Sequence, residues 1–194
     1  MYKYIKRFLD IVLSVIGILI FIIPMAVVSV IIKAESKGPI IFKQKRIGKD
    51  KKEFFIYKFR TMRSDTPQNV PTHLLNDPKS YITKSGAFFR KTSIDELPQL
   101  FNIIKGDMSI IGPRPALWNQ YDLIEQRDKV GANSCFPGLT GLAQINGRDE
   151  IEIEKKAMYD GKYAQNISFL LDLKILILTV KAVFKAEGVK EGKK

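Results

Sequence analysis

Two adjacent carboxylates, Asp95 and Glu96, stand in the run Arg90-Lys91-Thr92-Ser93-Ile94-Asp95-Glu96-Leu97-Pro98-Gln99-Leu100-Phe101-Asn102. Two readings compete for them. Ser93-x-x-Glu96 has the spacing of a capping box, in which Ser93 caps a helix and Glu96 reaches back to it. Pro98 fits poorly in a helix that starts after Ser93, because it lacks the donor expected there; a start at Asp95 puts it in the first turn. On either register the pair sits at a helix N-terminus, where the macrodipole favours ionised carboxylates. One carboxylate can then act as a nucleophile while its neighbour holds a metal.

Arg114 lies between two prolines in Lys105-Gly106-Asp107-Met108-Ser109-Ile110-Ile111-Gly112-Pro113-Arg114-Pro115. The rings restrict the backbone on both sides, and a guanidinium held in a stiff turn loses less entropy when it grips a phosphate with two bonds. An ordinary proline-rich turn is the alternative. Further on, Pro137-Gly138-Leu139-Thr140-Gly141-Leu142-Ala143-Gln144-Ile145-Asn146-Gly147-Arg148 spaces glycines where backbone can approach a ligand closely.

These groups need elements to carry them. Residues 108–111 read as a short buried strand, and residues 40–47 and 53–62 as a hairpin around a turn at 48–52. In the second hairpin strand Phe55, Tyr57 and Phe59 share one face, which predicts core, while Ile56, Lys58 and Arg60 share the other. For Lys58 and Arg60 alone, a solvated charged face is the simpler reading. Residues 64–78 carry Pro67, Pro71 and Pro78 with little apolar periodicity, and form a loop or lid. In residues 168–186, Lys174, Lys181 and Lys185 fall within about 40° on a helical wheel, as suits a helix lying in a membrane interface. Asp172 points into that helix's apolar side and needs a partner, either in a structural ion pair or in organising the site.

The most apolar stretch is residues 11–32, about 22 residues without a charge and long enough to cross a bilayer core. Basic residues flank both ends: Lys3, Lys6 and Arg7 before it, and Lys33, Lys37, Lys43, Lys45 and Arg46 after it. Both flanks favour the cytoplasmic side. A straight span is one solution. A re-entrant helix that breaks at Pro24 and returns through the same leaflet is the other, provided that protein or Ser14 and Ser29 cover the freed backbone groups. A signal peptide would have a shorter apolar core and a small-residue cleavage site.

Composition removes several chemistries. A single cysteine, Cys135, excludes an internal disulfide, and a single histidine, His73, excludes the usual zinc sites and leaves a serine–histidine–acid triad without an evident partner. Neither a Walker A motif nor G-x-G-x-x-G occurs. A net charge of +12 calls for an anionic partner: a membrane surface, a nucleic acid or a phosphorylated substrate.

Taken together, the chain resembles the bacterial sugar transferases that act as small monotopic polyprenyl-phosphate phosphoglycosyl transferases. The resemblance covers nearly its whole length. It rests on the basic N-terminus and proline-interrupted apolar run, Tyr57-Lys58-Phe59-Arg60-Thr61-Met62, Ser93-Ile94-Asp95-Glu96-Leu97-Pro98-Gln99-Leu100, Lys105-Gly106-Asp107-Met108-Ser109, Gly112-Pro113-Arg114-Pro115, Pro137-Gly138-Leu139-Thr140-Gly141 and Asn166-Ile167-Ser168-Phe169-Leu170-Leu171-Asp172-Leu173. Members often carry serine before the helix-breaking proline, whereas Ile23 precedes Pro24 here.

The resemblance implies an α+β fold: a proline-broken re-entrant membrane helix in residues 1–38, then a small cytoplasmic catalytic domain in 39–194 with a short hairpin and amphipathic interfacial helices. It implies transfer of a sugar-1-phosphate from a UDP-sugar to undecaprenyl phosphate with release of UMP, at the cytoplasmic face of the inner membrane. Asp95 would be the nucleophile and Glu96 a ligand of Mg2+. Arg90, Arg114 and Arg148 are candidates for phosphate or uridine contacts, with Lys58, Arg60 and Asp172 as further substrate-site candidates. Partners would be anionic lipids and downstream glycosyltransferases. Nucleic acid is disfavoured, because the hairpin aromatics are expected in the core instead of on a stacking surface. A catalytically silent membrane scaffold is the alternative, and no residue encodes the sugar.

Overall fold

The computed structural model describes residues 2–67, 77–147 and 151–185. The apolar run becomes part of one long helix, α1 (Tyr2–Glu35), with Pro24 inside it. At 1.5 Å per residue its 34 residues extend about 51 Å. Most of its surface is apolar and open, with Phe8, Leu19, Ile20, Ile23 and Val30 all exposed. A narrow stripe faces inward instead. Asp10, Ser14, Val28 and Ile32 are buried, and Ile18 and Met25 pack on the core at compatible helical spacing.

The hairpin forms as read, from β1 (Ile41–Ile47) and β2 (Glu53–Phe59), and β4 (Ala116–Leu117) joins the far edge of β1 to give the order β2-β1-β4. Its faces differ from expectation. Phe54 and Ile56 are buried, whereas Phe55 is 52% exposed. The inner face of β2 packs on Leu100, Ile103 and Met108, and only the Phe59 end of the opposite face is covered, by Val28, Ile32 and Phe89. Alternation identified two faces but not which one the helices would cover. The premise that set aside nucleic acid therefore fails for Phe55, although Phe59 is core.

After the hairpin come α2 (Lys84–Lys91), a single tight turn at Ile94–Glu96, and α3 (Gln99–Lys105). Gly106 ends α3 in the left-handed conformation, φ 101°, and passes the chain to β3 (Ser109–Ile111). A parallel partner, β5 (Gly138–Thr140), lies beside β3 in register Ser109↔Gly138 and Ile111↔Thr140. Here the glycine spacing has a packing explanation. A Cβ on Gly141 would stand 2.0 Å from the Gly112 carbonyl oxygen, so these glycines admit one another's backbone. The remaining helices are α4 (Tyr121–Lys129), α5 (Leu142–Ile145), α6 (Ile153–Gln165) and α7 (Phe169–Lys185).

Both ends of α1 grip the same domain. Near its start, Arg7 donates to Ile103 O (2.7 Å) and Ile104 O (3.1 Å), capping α3, while Asp10 accepts from Ser109 Oγ (2.8 Å) and Ile110 N (3.0 Å). Near its end, Arg60 donates to Ser36 O (2.7 Å) and Lys37 O (3.0 Å), and Ser85 bonds Glu35. Arg60 is thus the C-terminal cap of α1 and is buried there.

Candidate active site

The dyad is built from its backbone outward. Ser93 adopts φ 57°, a left-handed conformation that few non-glycine residues hold, and turns the chain sharply out of α2. Its hydroxyl makes no cap, so the capping box expected from Ser93 and Glu96 does not form. Pro98 stands immediately before α3, where its missing N–H costs the helix nothing. Ile94 and Leu97, on either side of the carboxylates, pack against the cluster of Val28, Ile32, Phe59 and Phe89, and Leu97 also meets the cluster around Leu100 and Ile103. The two acids are therefore pinned between apolar neighbours, beside the middle of α1.

Freed from capping, Glu96 turns to two cations. Lys58 Nζ donates to Glu96 Oε1 at 2.7 Å and Arg114 Nη2 donates to the same oxygen at 3.0 Å. Lys58 is thus no surface residue. Burial alone would push the Glu96 carboxyl up, but Lys58 and Arg114 outweigh it and hold the group well below the usual carboxylate range. For Asp95 the balance reverses. Burial pushes it up to about 6, with the Glu96 charge adding to the rise, against the pull of Lys58, Arg90 and Arg114. Burial in turn draws Lys58 down, opposed by Glu96. One acid is firmly ionised and its neighbour is poised, an arrangement typical of sites where two carboxylates have different tasks.

Arg114 owes its place to more than its prolines. Pro113 O accepts from Gly138 N (2.8 Å), Arg114 O from Arg127 Nη2 (2.9 Å), and Pro115 O from Arg46 Nη1 (3.0 Å). Three successive carbonyls are tied down, which fixes the guanidinium's base. Arg127 is itself held by Asp160 Oδ2 through Nε (2.8 Å) and Nη2 (2.6 Å). Lysine at 114 keeps the charge but loses the planar fork, so Arg114→Lys should lower turnover by at least about tenfold, equivalent to about 1.4 kcal/mol. Wild-type turnover in that variant would reduce Arg114 to a turn residue.

The structure brings together Asp95, Glu96, Lys58 and Arg114, with Arg90 in the last turn of α2 near enough to lower Asp95. Arg60 stands apart at the end of α1. Asp172 also goes elsewhere: it accepts from Tyr2 Oη (2.6 Å), Lys6 Nζ (2.9 Å) and Tyr163 Oη (2.8 Å), binding α7 to α1 and α6. That is the structural ion pair among its two readings. Arg148, His73 and residues 68–76 of the proline-rich loop lie outside the described residues. Sequence reasoning missed Arg127, Asp160, Arg7 and Asp10, charged residues whose partners are far away along the chain.

The sequence pattern of the family described as "Bacterial sugar transferase" matches residues 1–186. The chain belongs to that family. Among the relatives of the chain, the uncharacterized sugar transferase EpsL of Bacillus subtilis is 45% identical over 83% of the chain and 78% of its own length. The galactosyl transferase CpsE of Streptococcus agalactiae is 42% identical over 97% of the chain, and the UDP-glucose:undecaprenyl-phosphate glucose-1-phosphate transferase of Klebsiella pneumoniae 44% over 90%. The transferase spans only 45% and 39% of those two longer relatives.

Among its described residues the transferase gathers no group of three or more His, Cys, Asp or Glu side chains. Magnesium does not require one. It commonly binds through one or two carboxylates and completes its shell with substrate phosphates and water. Glu96 fits that role: it is held ionised, and its hydrogen bonds from Lys58 and Arg114 among the described residues both fall on Oε1.

Proposed function

We propose that this protein transfers a sugar-1-phosphate from a UDP-sugar to undecaprenyl phosphate, with release of UMP, through a covalent intermediate on Asp95. The observation that carries the reading is the buried dyad, one acid held ionised by two cations and the other poised near neutrality, set against the apolar helix α1. Relatives named as undecaprenyl-phosphate transferases of galactose phosphate, N-acetylgalactosamine phosphate and glucose-1-phosphate support the reaction class and leave the sugar open.

In this scheme an Asp95 oxygen attacks the phosphorus next to the sugar, and the bond from that phosphorus to the bridging oxygen breaks, so UMP leaves with that oxygen. A phosphate oxygen of the lipid then attacks the same phosphorus and releases Asp95 unchanged. Arg114 and Arg90 would bind the diphosphate, and Lys58 holds Glu96 in position. Magnesium, bound through Glu96, would neutralise diphosphate charge that otherwise repels a carboxylate nucleophile. The test is mass spectrometry of enzyme mixed with a panel of UDP-sugars and Mg2+, without acceptor. A phosphosugar adduct on Asp95 with matching UMP release is expected. UMP release only after acceptor is added, with intersecting initial-rate plots, would mean direct transfer; none at all with any sugar would favour a silent scaffold.

The proposed placement draws its support from α1. A helix about 51 Å long whose two ends bind one domain supports both ends lying on the same side, which a straight span cannot provide. The reading is therefore a re-entrant or interfacial α1, with Pro24 as the site of any bend and the domain on the cytoplasmic face of the inner membrane. Exposed Leu170, Leu173 and Ile177 on α7, with exposed Lys174 and Lys181, suit the same interface and anionic lipids. Downstream glycosyltransferases are the natural recipients of the lipid-linked product. Cysteines introduced at Lys3 and Lys37 should both resist impermeant thiol reagents in intact cells. Labelling of either from outside would overturn this topology.

A further inference from the structure

We propose that Asn102 is a positioning residue, which holds Lys58 against Glu96 by standing in for a missing neighbour strand along the free edge of β2. The inference rests on the transferase reading above and adds to it a residue outside the reacting groups.

β2 is an edge strand, so alternate residues present backbone N–H and C=O groups with no strand to receive them. Asn102, fully buried on α3, supplies what is missing. Its Nδ2 donates to Phe55 O (2.8 Å) and its Oδ1 accepts from Tyr57 N (2.9 Å). One side-chain amide thus takes both bonds, to the carbonyl of residue 55 and the N–H of residue 57, that a single residue of a parallel neighbour strand would make. Its orientation is also set, because Nδ2 donates to Asp107 Oδ2 (3.2 Å) while Asp107 N donates to Asn102 O (3.0 Å). The left-handed turn at Gly106 brings Asp107 back to make both bonds, and Lys105 pairs with Asp107 at 3.1 Å. The Lys105-Gly106-Asp107 run, which the mechanism leaves without a task, is accounted for in this way.

The consequence for the site is geometric. Tyr57 immediately precedes Lys58, and Asn102 rides on the short helix that follows the dyad. The amide is therefore a direct tie between the strand carrying the cation and the turn carrying the acid. Without it, β2 can slide or lift along α3, and Lys58 Nζ loses its 2.7 Å approach to Glu96.

The decisive variant is Asn102→Asp, nearly isosteric, which keeps the acceptor for Tyr57 N, loses the donor to Phe55 O and faces Asp107 with like charge. A double-variant cycle with Lys58→Met separates positioning from mere folding. UMP release is measured on full-length protein in detergent with UDP-sugar, Mg2+ and polyprenyl phosphate, with rates normalised to folded protein from thermal melts. Asn102→Asp should lower kcat by at least about tenfold. In the Lys58→Met background the same change should cost less than about twofold, because the residue it positions is already gone. Asp107→Asn added to Asn102→Asp restores a donor between the two side chains and should recover part of the loss. Wild-type kcat in Asn102→Asp, or equal losses in both backgrounds, would overturn the proposal. Absence of UMP release from the wild-type protein would instead remove the transferase reading itself, and the proposal with it.

Discussion

Asp95→Asn should abolish turnover, lowering kcat by at least about a thousandfold, while the protein remains folded and melts at the same temperature or higher. The two halves of this expectation share one cause. Asp95 is buried, and its surroundings push its pKa up to about 6, above the unfolded value, so ionisation near neutral pH works against the folded state. An amide of the same shape removes that cost and also removes the proposed nucleophile. Turnover above about one per cent of wild type would exclude Asp95 as the attacking group. The pH profile follows with the same sign. In the proposed mechanism the ionised form attacks, so the rate should rise with pH across the Asp95 titration; Lys58→Met removes a cation that lowers that pKa and should move the acid limb to higher pH.

Arg127→Met should lower stability by about 3–5 kcal/mol, a fall of roughly 10 °C in melting temperature for a chain of this size. Arg127 and Asp160 are only 4% and 1% exposed and meet at 2.6 Å, so loss of the arginine strands a carboxylate in a dry interior. Replacing both, as in Arg127→Met with Asp160→Leu, removes the stranded charge and should recover most of the stability. Activity should not follow it. The Arg114 carbonyl loses its donor in both variants, and the peptide that carries the Arg114 guanidinium beside Glu96 is released from one of its ties. Activity that recovers in step with the melting temperature would show the tie to be immaterial.

How much of this could be read beforehand depended on how far apart the interacting residues lie in the sequence. The hairpin was legible because its turn and its alternating strands are local patterns, and so was the strand at Ser109–Ile111 within its apolar run. The dyad and Arg114 were visible as candidates because adjacent acids and a proline-flanked arginine are unusual combinations. The pairing of Glu96 with Lys58 was not visible. Glu96 carried a plausible local task as a cap, and only the fold shows that a residue 38 positions away outbids the backbone for it. The same holds for Arg127 with Asp160, 33 positions apart, and for Arg60, which looked like a substrate ligand and closes the end of a helix. The inward face of β2 was read wrongly for a related reason: the aromatic face was expected in the core, but helices supplied by later sequence cover the face of Phe54 and Ile56.

The grip of the domain on both ends of α1 also bears on the order of events at the ribosome. The helix is synthesised first, yet the groups that complete it come much later: Arg60 for its end, and Ser109, 99 positions after Asp10, for its start. A nascent chain that stops short of β3 lacks the partners that Arg7 finds in α3 and Asp10 finds in β3, leaving Asp10 only Lys6 at 3.9 Å one turn away, and charges in hydrocarbon are costly. The groups that close both ends of α1 are in place only once the domain folds onto it, so completing this first helix is itself a tertiary folding step.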